Sequence, residues 1–171
     1  MNHFATFNLP VTFALDTTLL SSRYRALQAA VHPDRFVNAT DADKRIAMSR
    51  TVDINESYTT LNDPVRRAMH LLALVGFDGM NEKDTSMPHD FLVEQIDWRE
   101  ALADARLKED DDRLDEMSVE LASILRSLGD SFDVAYRGEH FTIATTLARK
   151  MRFMQKLAEE VDAALAELET R

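Results

Sequence analysis

His32-Pro33-Asp34-Arg35-Phe36 decides how this chain is read. Before it, Leu20, Tyr24, Leu27 and Val31 recur at spacings of four, three and four, the apolar stripe of one helix. Asp16 is a good N-cap for that helix from Thr17 onward. The helix must end near His32, because a residue before proline is pushed out of the α region and Pro33 would remove a helical hydrogen bond. After the motif, Thr40-Asp41-Ala42-Asp43 is a capping-box pattern opening a second helix, whose buried face is Ala47, Thr51, Ile54, Tyr58 and Leu61. About ten residues join the two helices, enough for an antiparallel hairpin with a long exposed loop. A His, a fixed turn and an Asp at such a tip form a presented polar group, not a buried one.

Outward from the hairpin, Phe4, Phe7 and Leu9 lie in a short helical turn or arm that packs inward and is broken by Pro10. Arg25 lies opposite the stripe of the first hairpin helix, and Arg23 lies on its flank. Downstream, Asp63 caps a further helix with Pro64 at its first position. Val65, Ala68, Met69, Leu72 and Val75 face inward there, Arg66 and Arg67 face out, and Gly76 stops the helix.

The whole chain has 171 residues, four Gly, four Pro and no Cys. Its Ala, Leu, Glu and Arg content, with no regular alternation, predicts an all-α protein. The lack of Cys excludes disulfides, thiolate-held zinc and thiolate-held Fe–S clusters. No apolar run is long enough to span a membrane, and Met1-Asn2-His3-Phe4-Ala5 has neither the basic start nor the apolar core of a signal peptide. The expectation is a cytoplasmic protein with no membrane association. Residues 1–76 carry a net +1 and residues 77–171 a net −11. So acidic a chain is a poor nucleic-acid binder, and the asymmetry points to two units with different partners.

Residues 77–87 form a polar linker without periodicity. The helix that starts near Pro88 has two apolar faces. Phe91, Trp98, Leu102 and Ala105 lie within about 40° of one direction. Leu92, Val93, Ile96 and Leu107 lie roughly 100–200° away, with Asp97, Glu100 and Asp104 beside or among them. One face serves a core; the other either packs on the first unit or binds a partner, and an apolar patch edged by carboxylates fits a partner. Glu109-Asp110-Asp111-Asp112 opens a further helix where the macrodipole favours acids. Leu114, Met117, Leu121, Ile124, Leu125, Leu128 and Phe132 face its core. Gly129 would loosen its last turns and Gly138 ends it. A final helix from about Glu139 to Leu168 carries Leu147, Met151, Met154, Ala158, Val161, Leu165 and Leu168 as a coiled-coil-like seam. Phe153 falls off that seam, able to reach the open face of the Pro88 helix or to cover a bundle edge.

A helix with basic residues, then His-Pro-Asp, a longer helix and a short one resembles a J-domain over residues 1–76. That resemblance implies docking to a DnaK-type ATPase chaperone and stimulation of its ATP hydrolysis. His32, Pro33 and Asp34 would make the contact, with Arg23, Arg25 and Arg35 supplying electrostatic steering. The loop would favour the partner's hydrolysis-competent state over its resting state. With a short linker and an acidic three-helix bundle at 88–171, the whole chain resembles the HscB family of Fe–S cluster co-chaperones. The stretch Phe91-Leu92-Val93-Glu94-Gln95-Ile96-Asp97-Trp98-Arg99-Glu100 resembles that family's scaffold-binding helix, and Arg149-Lys150-Met151-Arg152-Phe153 its matching motif. The resemblance implies an L-shaped molecule in which Leu92, Val93, Ile96, Asp97, Glu100, Asp104 and Phe153 contact an IscU-like scaffold. It also implies an HscA-like partner ATPase and no cofactor of the chain's own. Val93, Asp97 and Asp104 stand where that family often has a longer apolar side chain or Glu. The absence of a Gly/Phe-rich region and a four-Cys zinc module argues against a general-purpose DnaJ-type protein. The absence of a cysteine-bearing N-terminal extension points to the bacterial form.

The blander readings account for less. A plain turn explains Pro33 and Asp34 but not an exposed His32 followed by Arg35. A hydrolase using His32 and Asp34 as an acid–base pair lacks a nucleophile and a cleft, so the expectation is a protein that is not itself an enzyme. His3, His70, His89 and His140 show no i, i+4 pairing and no near carboxylates of the kind that hold zinc, so no metal is expected. Tyr24, Tyr58 and the Met and Leu seam read as core. The remaining alternative is a J-domain fused to a bundle with a different client or a structural role.

Overall fold

The computed structural model describes residues 1–80 and 87–171. The linker expected at 77–87 therefore falls largely outside the described residues, at 81–86. The chain divides into two compact units, Met1–Val75 and Gly76–Arg171. The regular structure among the described residues is helical.

In the first unit, α1 (His3–Thr6) is capped by the Asn2 side chain, which accepts from the Phe4 N–H. It seats Phe4, Phe7 and Leu9 in the core. Asp16 caps α2 (Thr17–Ala30) by accepting from the Thr18 and Leu19 N–H groups. A single 3₁₀ turn, Pro33–Phe36, forms the tip. Thr40 caps α3 (Asp41–Asn62), and Asp63 caps α4 (Pro64–Leu74), where Pro64 needs no N–H partner. Gly76 follows α4 at φ +84°, a left-handed conformation that costs a β-carbon-bearing residue but not glycine. Helix α3 is the spine, since α1, α2, α4 and the tip all pack on it. Tyr24 and Tyr58 stack between α2 and α3, their centroids 3.9 Å apart and planes 9° apart.

Two expectations for α4 need correction. Arg67 does not face out: it is 6% exposed, donates from Nε to the Leu61 carbonyl at 2.8 Å and from Nη1 to the Phe13 carbonyl at 2.6 Å. Its guanidinium also sits 5.3 Å from the Phe13 ring centroid. The reason is local. The end of α3 leaves carbonyls without helical donors, and an Arg fork one turn into α4 can reach them. Val75 does not face inward either, because α4 ends at Leu74 and Val75 is its C-cap. Leu71, unlisted by the stripe, is fully buried instead.

In the second unit, α5 (His89–Leu107), α6 (Asp111–Arg137) and α7 (Phe141–Glu169) form an up-down-up bundle. Asp110 caps α6. Gly129 does not loosen α6. It is buried, and the fully buried Phe132 and the buried Ala135 beyond it keep the last two turns helical to Gly138, the C-cap. α6 and α7 pair along most of their length, while the shorter α5 covers only part of it. The shared core holds Phe91 and Leu102 of α5, Leu114, Met117 and Leu121 of α6, and Met154, Leu157 and Val161 of α7. Beyond α5, the α6–α7 turn closes with aromatics: Phe141 lies 5.5 Å from both Tyr136 and Phe77. The seam of α7 is broader than its heptads imply. Ala144, Ala148, Leu157 and Ala164 are buried, whereas Leu147, Ala158, Leu165 and Leu168 are half-buried. A helix that receives two neighbours buries two flanking rows rather than one.

Candidate functional site

Each unit presents one candidate surface. In the first, Pro33 ends the possibility of a longer α2, and His32 (φ −58°, ψ 137°) turns the chain into the 3₁₀ tip. The His32 Nδ1 accepts the Asp34 backbone N–H at 3.3 Å, so His32, not Asp34, caps the turn. The same nitrogen lies 3.5 Å from the Asp34 carboxylate. In a neutral ring, an Nδ1 that accepts this bond leaves the proton to Nε2. The side chains of His32 and Asp34 are 58% and 88% exposed, so the pair is displayed. Arg25 and Arg35 are exposed too. Arg23 is different: it donates to the Phe7 carbonyl at 2.9 Å and to the Asn8 carbonyl, clamping α2 to the turn after α1. It keeps its charge near the basic face but is held as a structural tie.

A cleft of about 700 Å³ opens behind the tip, between α2, the tip and α3. Leu27, Val31, Phe36, Ile46 and Ile54 form its apolar lining, with Arg35 and Arg50 among its charged groups. Neither His32 nor Asp34 lines it. The two groups that an acid–base reading would use therefore do not line this cleft.

In the second unit, Leu92, Val93 and Ile96 are 43%, 44% and 57% exposed on α5. Phe91, one residue earlier, is buried, and its ring lies 6.2 Å from that of Phe153 on α7, itself 41% exposed. Phe153 is thus brought to the edge of the open α5 face. Asp97 and Glu100 are exposed; Asp104 pairs with Lys108 one turn on at 2.9 Å, which raises the Lys108 pKa. The Lys150 ammonium sits 5.5 Å over the Phe91 ring. An ion pair between Arg99 and Glu160 fastens α5 to α7 lower down. Residues 78–80 are held on α7: Arg149 donates to the Gly79 carbonyl at 3.3 Å, and Arg152 approaches the Met80 sulfur at 3.2 Å.

Sequence reasoning missed a buried polar cluster in the first unit. The His3 backbone N–H donates to His70 Nε2 at 3.1 Å, and His3 Nδ1 lies 2.7 Å from the fully buried Ser57 hydroxyl. The hydroxyl of Thr6 completes it at 3.1 Å from Ser57. Burial pushes the pKa of His3 down and that of His70 to about 4, helped in the latter by His3. The partners are 54 and 67 residues apart, beyond any local spacing rule. Among the described residues, no group of three or more His, Cys, Asp or Glu side chains is placed to hold a metal ion. Nor is any described helix long and apolar enough to cross a membrane.

Comparison with known proteins places these surfaces in context. The family model described as "HSCB C-terminal oligomerisation domain" matches residues 87–162. The chain is 41% identical over 169 residues to a co-chaperone protein HscB homolog of Burkholderia multivorans, covering 99% of this chain and 97% of that protein. It superposes on the chaperone HscB from Vibrio cholerae with a TM-score of 0.86 at 35% identity, over 98% of this chain and 99% of the other. The crystal structure of human co-chaperone protein HscB gives a TM-score of 0.88 at 27% identity, over 95% and 81% of the two chains.

Proposed function

We propose, because the chain belongs to the HscB family of co-chaperones, that it delivers an IscU-like Fe–S scaffold to an HscA-like DnaK-type ATPase and stimulates ATP hydrolysis by that partner. Residues 1–76 act as the J-domain, 77–87 as a linker and 88–171 as the scaffold-binding bundle. The protein works in the bacterial cytoplasm and holds no cofactor itself.

The observation that carries this reading is the displayed His32–Asp34 pair on a turn braced by Pro33 and by the bond from the Asp34 N–H to His32. A rigid, solvated donor and carboxylate, with Arg25 and Arg35 exposed nearby, can bind a complementary surface on the ATPase. If that contact is stronger in the hydrolysis-competent state, it shifts the population of the ATPase toward hydrolysis without any chemistry at His32. The second support is the Leu92–Val93–Ile96 face with Phe153 at its edge. Apolar side chains left in water at the centre of a carboxylate-edged patch gain on docking to an apolar scaffold surface.

His32→Gln tests the tip. Its expected outcome is loss of ATPase stimulation, by on the order of tenfold or more in single-turnover assays, with circular dichroism and scaffold binding unchanged. Stimulation retained at the original level would remove the tip from the mechanism.

A further inference from the structure

The open face of α5 has two unlike edges, an acidic one on α5 itself and a second one formed by α7. At 100° per residue, with the buried Phe91 as zero, Arg99 lies at roughly 80°, Leu92 at 100° and Ile96 at 140°, while Glu100, Val93, Asp104 and Asp97 lie at about 180°, 200°, 220° and 240°, so that the carboxylates surround Val93. Arg99 bonds Glu160 of α7, so α7 stands on the Leu92–Ile96 side, and the carboxylates line the far side. Helix α5 and α7 run the same way, since Phe91 meets Phe153 and Arg99 meets Glu160. The near edge of the apolar strip is therefore the outer surface of α7 around Phe153. There the helical phase sets Lys156 about 60° from Phe153 and Arg152 about 100° from it, and both are exposed.

From this arrangement we propose that Arg152 and Lys156 form a basic rim that sets the orientation in which the client docks. The proposal rests on the scaffold-binding reading of this face and names the partner's chemistry further. The client surface is an apolar ridge with an acidic group along the side that meets α7 and a basic group along the side that meets α5. Docking the ridge the other way round would set carboxylate against carboxylate and cation against cation, which like-charge repulsion opposes. Arg152 is suited to the task because its planar fork matches a carboxylate, and its contact with the Met80 sulfur holds the side chain against α7 without neutralising it.

The test is binding of an IscU-like scaffold to the full chain, by calorimetry and stopped-flow, at low and high salt. Arg152→Glu with Lys156→Glu is compared with Arg126→Glu with Arg137→Glu, a matched charge change at exposed α6 positions. The rim variant is expected to weaken binding roughly tenfold at low salt, mainly through slower association, with the loss shrinking at high salt; the α6 variant should stay within about twofold. Equal losses in both would mean that net charge alone acts, and an unchanged rim variant would mean that the rim touches nothing; either overturns the proposal. If the unaltered chain fails to bind scaffold, the scaffold reading itself falls, and the rim with it.

Discussion

At the residue scale, two side chains that belong to neither candidate surface help define the first unit. Arg67 is a cation taken out of water and repaid by two carbonyls and an aromatic face. Burial lowers its pKa, but guanidinium remains charged in any ordinary range. Arg67→Met keeps the stem and removes the donors, leaving the Leu61 and Phe13 carbonyls unpaired. It should cost about 2–4 kcal/mol in urea unfolding, while Arg66→Met, at an exposed neighbour, should cost under about 0.5 kcal/mol. Equal effects would mean that the buried bonds contribute nothing net. His70 makes a different statement. Its folded pKa of about 4 lies below the ordinary 6.5, so the unfolded chain binds more protons between those values. The stability of the neutral ring is therefore whole above about pH 6.5 and is lost as pH falls through about 4. His3, also lowered, adds in the same direction. His70→Gln should reduce the fall in melting temperature between pH 7 and pH 4, and an identical fall in both proteins would show that His70 is not a source of acid sensitivity.

At the element scale, the two sides of α5 differ in burial. Its inner side adds Phe91, Leu102 and Ala105 to the core, and its outer side leaves Leu92, Val93 and Ile96 in water. Because the outer residues are already exposed, truncating them removes little folding energy. Leu92→Ala with Ile96→Ala should lower scaffold affinity by about tenfold or more, with melting temperature unchanged or slightly raised by the better helix propensity of alanine. Unchanged affinity in calorimetry would take this face out of the scaffold site. The stripe of α7 was legible at Met151, Met154 and Val161, which are buried as its heptad phase predicts. It missed Ala144, Ala148 and Ala164, because a small side chain carries little apolar signal in a sequence yet is buried where a neighbouring helix comes close.

At the scale of the whole chain, each of two compact units carries one candidate surface. On the proposed function, ATPase docking and client binding are expected to vary independently, His32→Gln acting on the first and the α5 double variant on the second. Additive behaviour is expected of sites with no shared partners. The charge division follows the same line, with the acidic excess confined to residues 77–171. A net negative second unit opposes nucleic-acid binding, and on the proposed function it suits a client that offers a basic edge.

The sequence by itself determined the helices, their caps and the tip. Asp16, Thr40, Asp63, Pro33, Pro64 and Gly76 act through bonds and φ limits that reach only a few residues along the chain, so their reading needed no third dimension. It also determined that α5 has a surplus apolar face, since periodicity records how many sides of a helix are apolar. Tertiary structure alone decided what lies across from what. It turned Arg67 inward, joined His3 to Ser57 and His70, made Arg23 a clamp, and set Phe153 beside Phe91 with a basic edge opposite an acidic one. Those outcomes depend on contacts between different elements, from 6 positions apart for Arg67 and Leu61 to 67 for His3 and His70, whose geometry exists only once the helices have packed.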